Sequence, residues 1–131
     1  GSFLYLNLNF SPKFLLKKGF HNKKNLSKKI HNHYLQPFPN KNSRYGLLNL
    51  AKALVGASDW YQIQWEQLDS LANKEWLVIW GTEDEFIKRE ELLKWKNRLP
   101  NASIQELKCG HFVQEEKTQE SIAYIRQFMK K

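Results

Sequence analysis

Apolar positions over residues 1–75 recur at helical intervals between breakers; from residue 76 short continuous apolar runs take over. Ser11 followed by Pro12 suits a helix N-cap with proline at the first helical position, leading into Phe14, Leu15 and Lys18, with Gly19 as the stop. Ser27 is placed to cap a second helix on which Ile30, Tyr34 and Leu35 share a face. Pro37 ends that helix, and Pro37-Phe38-Pro39-Asn40 reads as an extended turn. A third helix is predicted from near Ser43 through Leu47, Leu48, Leu50, Ala51 and Leu54 to Gly56. A fourth starts at Ser58 or Asp59 and carries Trp60, Ile63, Gln64, Leu68 and Leu71.

Trp76-Leu77-Val78-Ile79-Trp80, ended by Gly81, predicts a strand buried on both faces. A helix follows with Leu92, Leu93, Trp95 and Leu99 as its apolar positions, stopped by Pro100 and Asn101. Residues 102–107 read as a second strand, polar enough at Gln105 and Glu106 to be an edge. After Gly110 comes a last helix with Ile122, Ile125, Phe128 and Met129 inward, and with Lys130 and Lys131 suiting its negative C-terminal end. Strand, helix and strand over residues 76–107 imply two parallel neighbours joined by a right-handed crossover. Two parallel strands do not make a stable sheet alone, and residues 1–75 offer no third.

Composition narrows the classes. The chain has 131 residues, 41% hydrophobic and 14% aromatic, which suits one domain and excludes a disordered chain. No apolar stretch reaches the roughly 18 residues of a membrane span, and Phe3-Leu4-Tyr5-Leu6 is too short for a secretory signal. Cys109 is the single cysteine, so there is no internal disulfide and a cytoplasmic setting is expected. The net charge of +8 is unevenly placed: residues 1–58 hold ten Lys or Arg and no acid, residues 59–131 eleven against thirteen Asp or Glu. A lysine-rich solvated helical layer accounts for this, and nucleic acid is disfavoured. A basic surface for nucleic acid or anionic lipid remains as an alternative.

The loops after the two strands read Gly81-Thr82-Glu83-Asp84-Glu85-Phe86 and Cys109-Gly110-His111-Phe112. Both leave the carboxyl ends of neighbouring parallel strands, where open α/β sheets bind ligands. A carboxylate beside a histidine there fixes one ring nitrogen and leaves the other free as a base, the logic of a catalytic triad. Glu83 and Glu85 are expected to point elsewhere. Cys109 lies two residues before His111 across a glycine, a poor arrangement for proton transfer. His31 and His33 are two apart on a helix and face different ways, and His21 has no partner, so no metal site is expected.

The runs Trp80-Gly81-Thr82-Glu83-Asp84, Arg98-Leu99-Pro100-Asn101-Ala102 and Gly110-His111-Phe112-Val113-Gln114-Glu115-Glu116 resemble the C-terminal half of an α/β-hydrolase. Tyr34-Leu35-Gln36-Pro37-Phe38-Pro39 and Arg44 are similar to the cap of the haloalkane dehalogenase-like branch. The resemblance implies an α/β class and a partial α/β-hydrolase fold: a helical cap segment (1–57), then a strand–helix–strand–helix part of the core (58–131), with the N-terminal part of the sheet missing. It implies Asp84 as the triad acid, His111 as the general base, and Phe86 and Phe112 as walls of an apolar substrate pocket. It also implies hydrolysis of a small apolar substrate without metal or organic cofactor.

Triad order in that fold puts the nucleophile before the acid. The glycines stand at 1, 19, 46, 56, 81 and 110, no two of them four apart, so this sequence holds no G-x-S-x-G or G-x-D-x-G elbow. The chain therefore reads as a piece beginning inside the cap, inactive without an N-terminal half. It would be a product of a split or shortened gene, half of a two-chain assembly, or a non-catalytic remnant that completes its sheet with a partner or through its own strand edge. Phe3, Leu6, Phe10, Phe14 and Phe20 are expected in the cap core or on an exposed seam, and their interleaving with lysines also permits interfacial membrane binding.

Overall fold

A computed structural model describes residues 1–130; Lys131, expected beside Lys130 at the last helix end, lies outside the described residues. The chain divides into two compact units, Gly1–Lys17 with Ser27–Leu68, and Lys18–Leu26 with Asp69–Lys131.

The first unit is helical. Helix α1 (Ser2–Leu8) ends at Asn9, a buried residue whose φ of 51° lies in the left-handed region that asparagine tolerates. The next helix resumes at once, π-helical over Ser11–Leu15 and continuing as α2 (Leu16–Gly19). Its first residue is Phe10, so Ser11 is not the side-chain cap the sequence suggests. Pro12 still falls in the first turn, where its missing N–H costs nothing.

Helix α3 (Lys28–Leu35) is capped as expected, Ser27 Oγ accepting from the Ile30 amide at 3.2 Å. Its half-buried face is Ile30, His31, Tyr34 and Leu35. Helix α4 (Tyr45–Gly56) is preceded by a 3₁₀ turn, Asn42–Arg44, and α5 (Ser58–Glu66) is followed by another, Gln67–Leu71. Neither Ser58 nor Asp59 caps α5. Both lie inside it, with Asp59 in the first turn against the positive helix end. Leu48 and Leu68 are buried, whereas Leu50, Leu54, Val55, Trp60, Tyr61 and Ile63 are exposed, so helical spacing located these helices better than it located their inner faces.

Arg44 organises this unit. Its guanidinium donates to the carbonyls of Leu6 (3.0 Å) and Asn7 (3.4 Å) at the end of α1, and to those of Phe38 (3.1 Å) and Pro39 (3.0 Å) in the proline turn. Asn9 Nδ2 donates to the same Phe38 carbonyl. One planar cation thus satisfies carbonyls that a helix C-terminus leaves without partners.

The second unit holds the sheet. Strands β1 (Leu77–Gly81) and β2 (Ser103–Leu107) pair in parallel, Leu77 opposite Ser103 and Gly81 opposite Leu107, joined through α6 (Arg89–Arg98). On one face Glu106 pairs with Arg89 and Lys96 of α6, and Trp76 meets Trp95 at 6.3 Å between ring centroids. On the other, Tyr124, Gln127 and Phe128 of α8 (Thr118–Phe128) close a cavity of about 50 Å³ against Leu77, Ser103 and Gln105. Helices on both faces are what a parallel pair requires.

Three details depart from the sequence reading. Leu77 to Trp80 are half-buried, because β1 has a partner strand on one side only among the described residues. In α6 Leu92 is buried while Leu93 is exposed, and Leu99, just past its end, is buried. In α8 the inward line is Ser121, Tyr124 and Phe128; Ile122, Ile125 and Met129 point outward, Met129 at 75% exposure. A small serine and a tyrosine fit close against the strands, and the β-branched isoleucines take the open side.

Candidate active site

The pairing of β1 and β2 continues beyond the strands and brings their loops together. The Thr82 amide donates to Leu107 O at 2.9 Å and the Glu83 amide to Cys109 O at 3.0 Å. A Cβ on Gly81 would stand 2.7 Å from Cys109 O and closer still to Gly110 O, so only glycine lets the loops approach this closely.

Asp84 lies just past this junction, its side chain only 8% exposed. Its Oδ1 accepts from the amides of Phe86 (2.8 Å) and Ile87 (3.1 Å), a local turn that holds the carboxylate in one orientation. Its Oδ2 is 2.8 Å from His111 Nδ1, although 27 positions separate the two residues. The His111 ring is 34% exposed, and among the described residues its Nε2 makes no hydrogen bond. An ionised carboxylate is an acceptor only, so in this contact the hydrogen sits on Nδ1, and Nε2 is the ring nitrogen left open.

Phe86 and Phe112 both stand edge-on to the imidazole, at 5.3 and 5.2 Å between centroids, and Phe112 also packs on buried Phe20 at 5.5 Å. Lys18 Nζ lies 5.9 Å from the Phe86 ring centre. Glu83 and Glu85 are exposed, and Glu83 accepts from the Thr82 hydroxyl at 3.3 Å. A larger hollow of about 300 Å³ lined by Ala72, Lys74, Trp76, Asn101 and Phe128 lies at the other end of the strands, away from His111.

Cys109 is buried, its Sγ 3.6 Å from Leu107 O, and burial followed by the Glu116 carboxylate pushes its thiol up to about 11. A neutral thiol held on a backbone carbonyl is not a nucleophile for His111. His31 Nε2 is 2.9 Å from Pro12 O while His33 is exposed, so the two share no site. Among the described residues no three His, Cys, Asp or Glu side chains gather where they could hold a metal ion. The apolar series Phe3 to Phe20 divides, with Leu6 and Phe20 buried, Phe10 half-buried, and Phe3 and Phe14 exposed. No helix of the described residues is long and apolar enough to cross a membrane.

Sequence reasoning did not find the backbone that steadies His111. Its amide donates to Gly19 O at 2.7 Å, and a Cβ on Gly19 would fall 2.9 Å from the Phe86 ring and nearer to Phe112. Gly19 ends α2, as its place after Phe14, Leu15 and Lys18 suggests, and the close approach of Phe86 and Phe112 requires a glycine there as well.

A parallel pair covered by helices, with an acid and a histidine on the loops at its carboxyl end, defines the closing part of a hydrolase-type α/β core. The chain belongs to the alpha/beta hydrolase fold family, which it matches over residues 3–118. It is similar to the cis-3-alkyl-4-alkyloxetan-2-one decarboxylase of Shewanella oneidensis, at 29% identity over 110 residues covering 79% of this chain and 35% of that protein. The chain therefore spans about a third of the length of this curated relative.

Proposed function

We propose that Asp84 and His111 are the acid and general base of an α/β-hydrolase catalytic triad, and that residues 1–57 serve as cap and 58–131 as core. The contact of 2.8 Å between Asp84 Oδ2 and His111 Nδ1 carries this reading. The carboxylate orients the ring and stabilises the imidazolium formed when Nε2 takes a proton. Phe86 and Phe112 line the pocket beside the base and keep water sparse there.

The sequence holds no nucleophile elbow, so in this reading the nucleophile comes from polypeptide outside these 131 residues, a preceding segment or a partner chain completing the sheet along the free edge of β1. The activity proposed is hydrolysis of a small apolar substrate in the manner of the haloalkane dehalogenase-like branch, with the cap similarity around Tyr34 to Pro39 and Arg44 in support. The relative's name points to a neighbouring substrate class: an oxetan-2-one is a strained cyclic ester with alkyl arms that an apolar pocket would hold. A cytoplasmic setting goes with this reading, since Cys109 is a buried free thiol and nothing in the fold calls for a disulfide.

Co-expression with an α/β-hydrolase N-terminal half carrying a G-x-[SD]-x-G elbow tests the proposal. Turnover of aryl esters or 1-haloalkanes by the pair, and none by the chain alone, is expected. Robust turnover by the 131 residues alone would overturn it.

A further inference from the structure

The Glu116 carboxylate, at the end of α7 (Val113–Glu116), accepts three backbone hydrogen bonds that secondary structure does not explain. Its Oε1 accepts from the amides of His21 (2.9 Å) and Gly110 (2.8 Å), and its Oε2 from that of Asn22 (2.8 Å). His21 and Asn22 are more than ninety positions away along the chain. The neighbouring Gly19 carbonyl takes the amide of His111 itself. Contact between the two strands of backbone is close: a Cβ on Gly110 would stand 2.6 Å from His21 N and 2.9 Å from Glu116 Oε1.

We infer that Glu116 is a positioning residue for His111, tying segment 18–26 to the Gly110–His111 turn and so fixing the backbone from which the imidazole reaches Asp84. The inference rests on the reading of His111 as general base. The geometry is economical: Asp84 holds the ring from one side, and the Gly19 carbonyl holds the main chain of the same residue. The Gly19–Asn22 stretch holds its own place through the carboxylate of Glu116. A charged acceptor suits the task, since bonds from amides to a carboxylate are about twice as strong as neutral ones. Glu115, one position earlier, makes none of these three bonds.

Proton NMR on the full ¹⁵N-labelled chain tests this with Glu116→Gln, whose amide turns an N–H group toward donors. Hydrogen exchange at the Gly110 and His111 amides is expected to rise about ten- to hundredfold. The low-field Nδ1–H resonance of a carboxylate-bonded His111 should broaden or vanish, while the amides of the β1–β2 ladder stay protected. Unchanged exchange and an unchanged Nδ1–H resonance would overturn the inference.

Should Glu116→Gln not fold, Glu116→Asp is read the same way, its arm too short to reach all three amides. In the unaltered chain the amides of His21, Asn22, Gly110 and His111 should open together with one protection; a spread beyond about hundredfold would contradict the clamp. None of these readouts needs turnover. A chain whose histidine proves non-catalytic would still show the coupling, and lost coupling leaves the acid–base reading to its own assay.

Discussion

A methyl group on Gly81 would have to occupy the space of the Gly110 carbonyl oxygen and stand 2.7 Å from that of Cys109. At this point the two loops meet backbone to backbone, and just beyond it the side chains of Asp84 and His111 close their 2.8 Å contact.

Gly81→Ala is therefore expected to force the loops apart. The cost should be about 1–3 kcal/mol or more, as for overpacking of a tight site, seen as a lower urea midpoint. The His111 Nδ1–H resonance should be lost with it. A variant as stable as the parent, with that resonance intact, would contradict the backbone contact.

Arg44 bonds carbonyls of Leu6, Asn7, Phe38 and Pro39, and Arg44→Ala leaves them without this donor. A loss of about 2 kcal/mol in urea unfolding is expected, with Arg44→Lys recovering only part because an ammonium lacks the planar fork.

The Cys109 thiol is raised from 9.0 to about 11, first by burial. In the native chain it should resist maleimide or disulfide reagents near neutral pH and react at once in urea. The linkage has a definite sign: the unfolded thiol deprotonates near 9 and the folded one near 11, so stability falls as pH rises through that window.

Glu106 is held below its ordinary value of 4.5, first by the hydrogen bond from Lys96 and then, against the cost of burial, by Arg89. A carboxyl with a lower folded pKa binds more protons unfolded, so its contribution is present above about 4.5 and lost as pH falls through the folded value. The effect should stay under about 1 kcal/mol for a partly exposed pair. Comparing urea midpoints of the parent and Glu106→Gln, the gap at pH 7 should narrow as the pH is taken below 4.5.

Much of this was legible in the sequence. The apolar run ending at Gly81 and the glycine at 110 marked two parallel neighbours, and spacing alone put Asp84 and His111 on adjacent loops. Helix periodicity was less informative about facing: Ile122 and Ile125 satisfy the same spacing as Ser121 and Tyr124, and only packing against the strands decides between them. The Glu116 clamp was hidden for a different reason. It joins a side chain to main-chain amides of distant residues, and backbone donors carry no signature in the residue letters. Gly19 and Gly110 were its only visible traces.

The measurement that bears most directly on the central claim is kcat of the complemented enzyme carrying substitutions in this chain. His111→Ala should lower turnover by about 10³-fold or more, and Asp84→Asn by about 10²–10⁴-fold, with substrate binding little changed. Turnover that survives His111→Ala undiminished would contradict the assignment of the base, and with it the reading of the site.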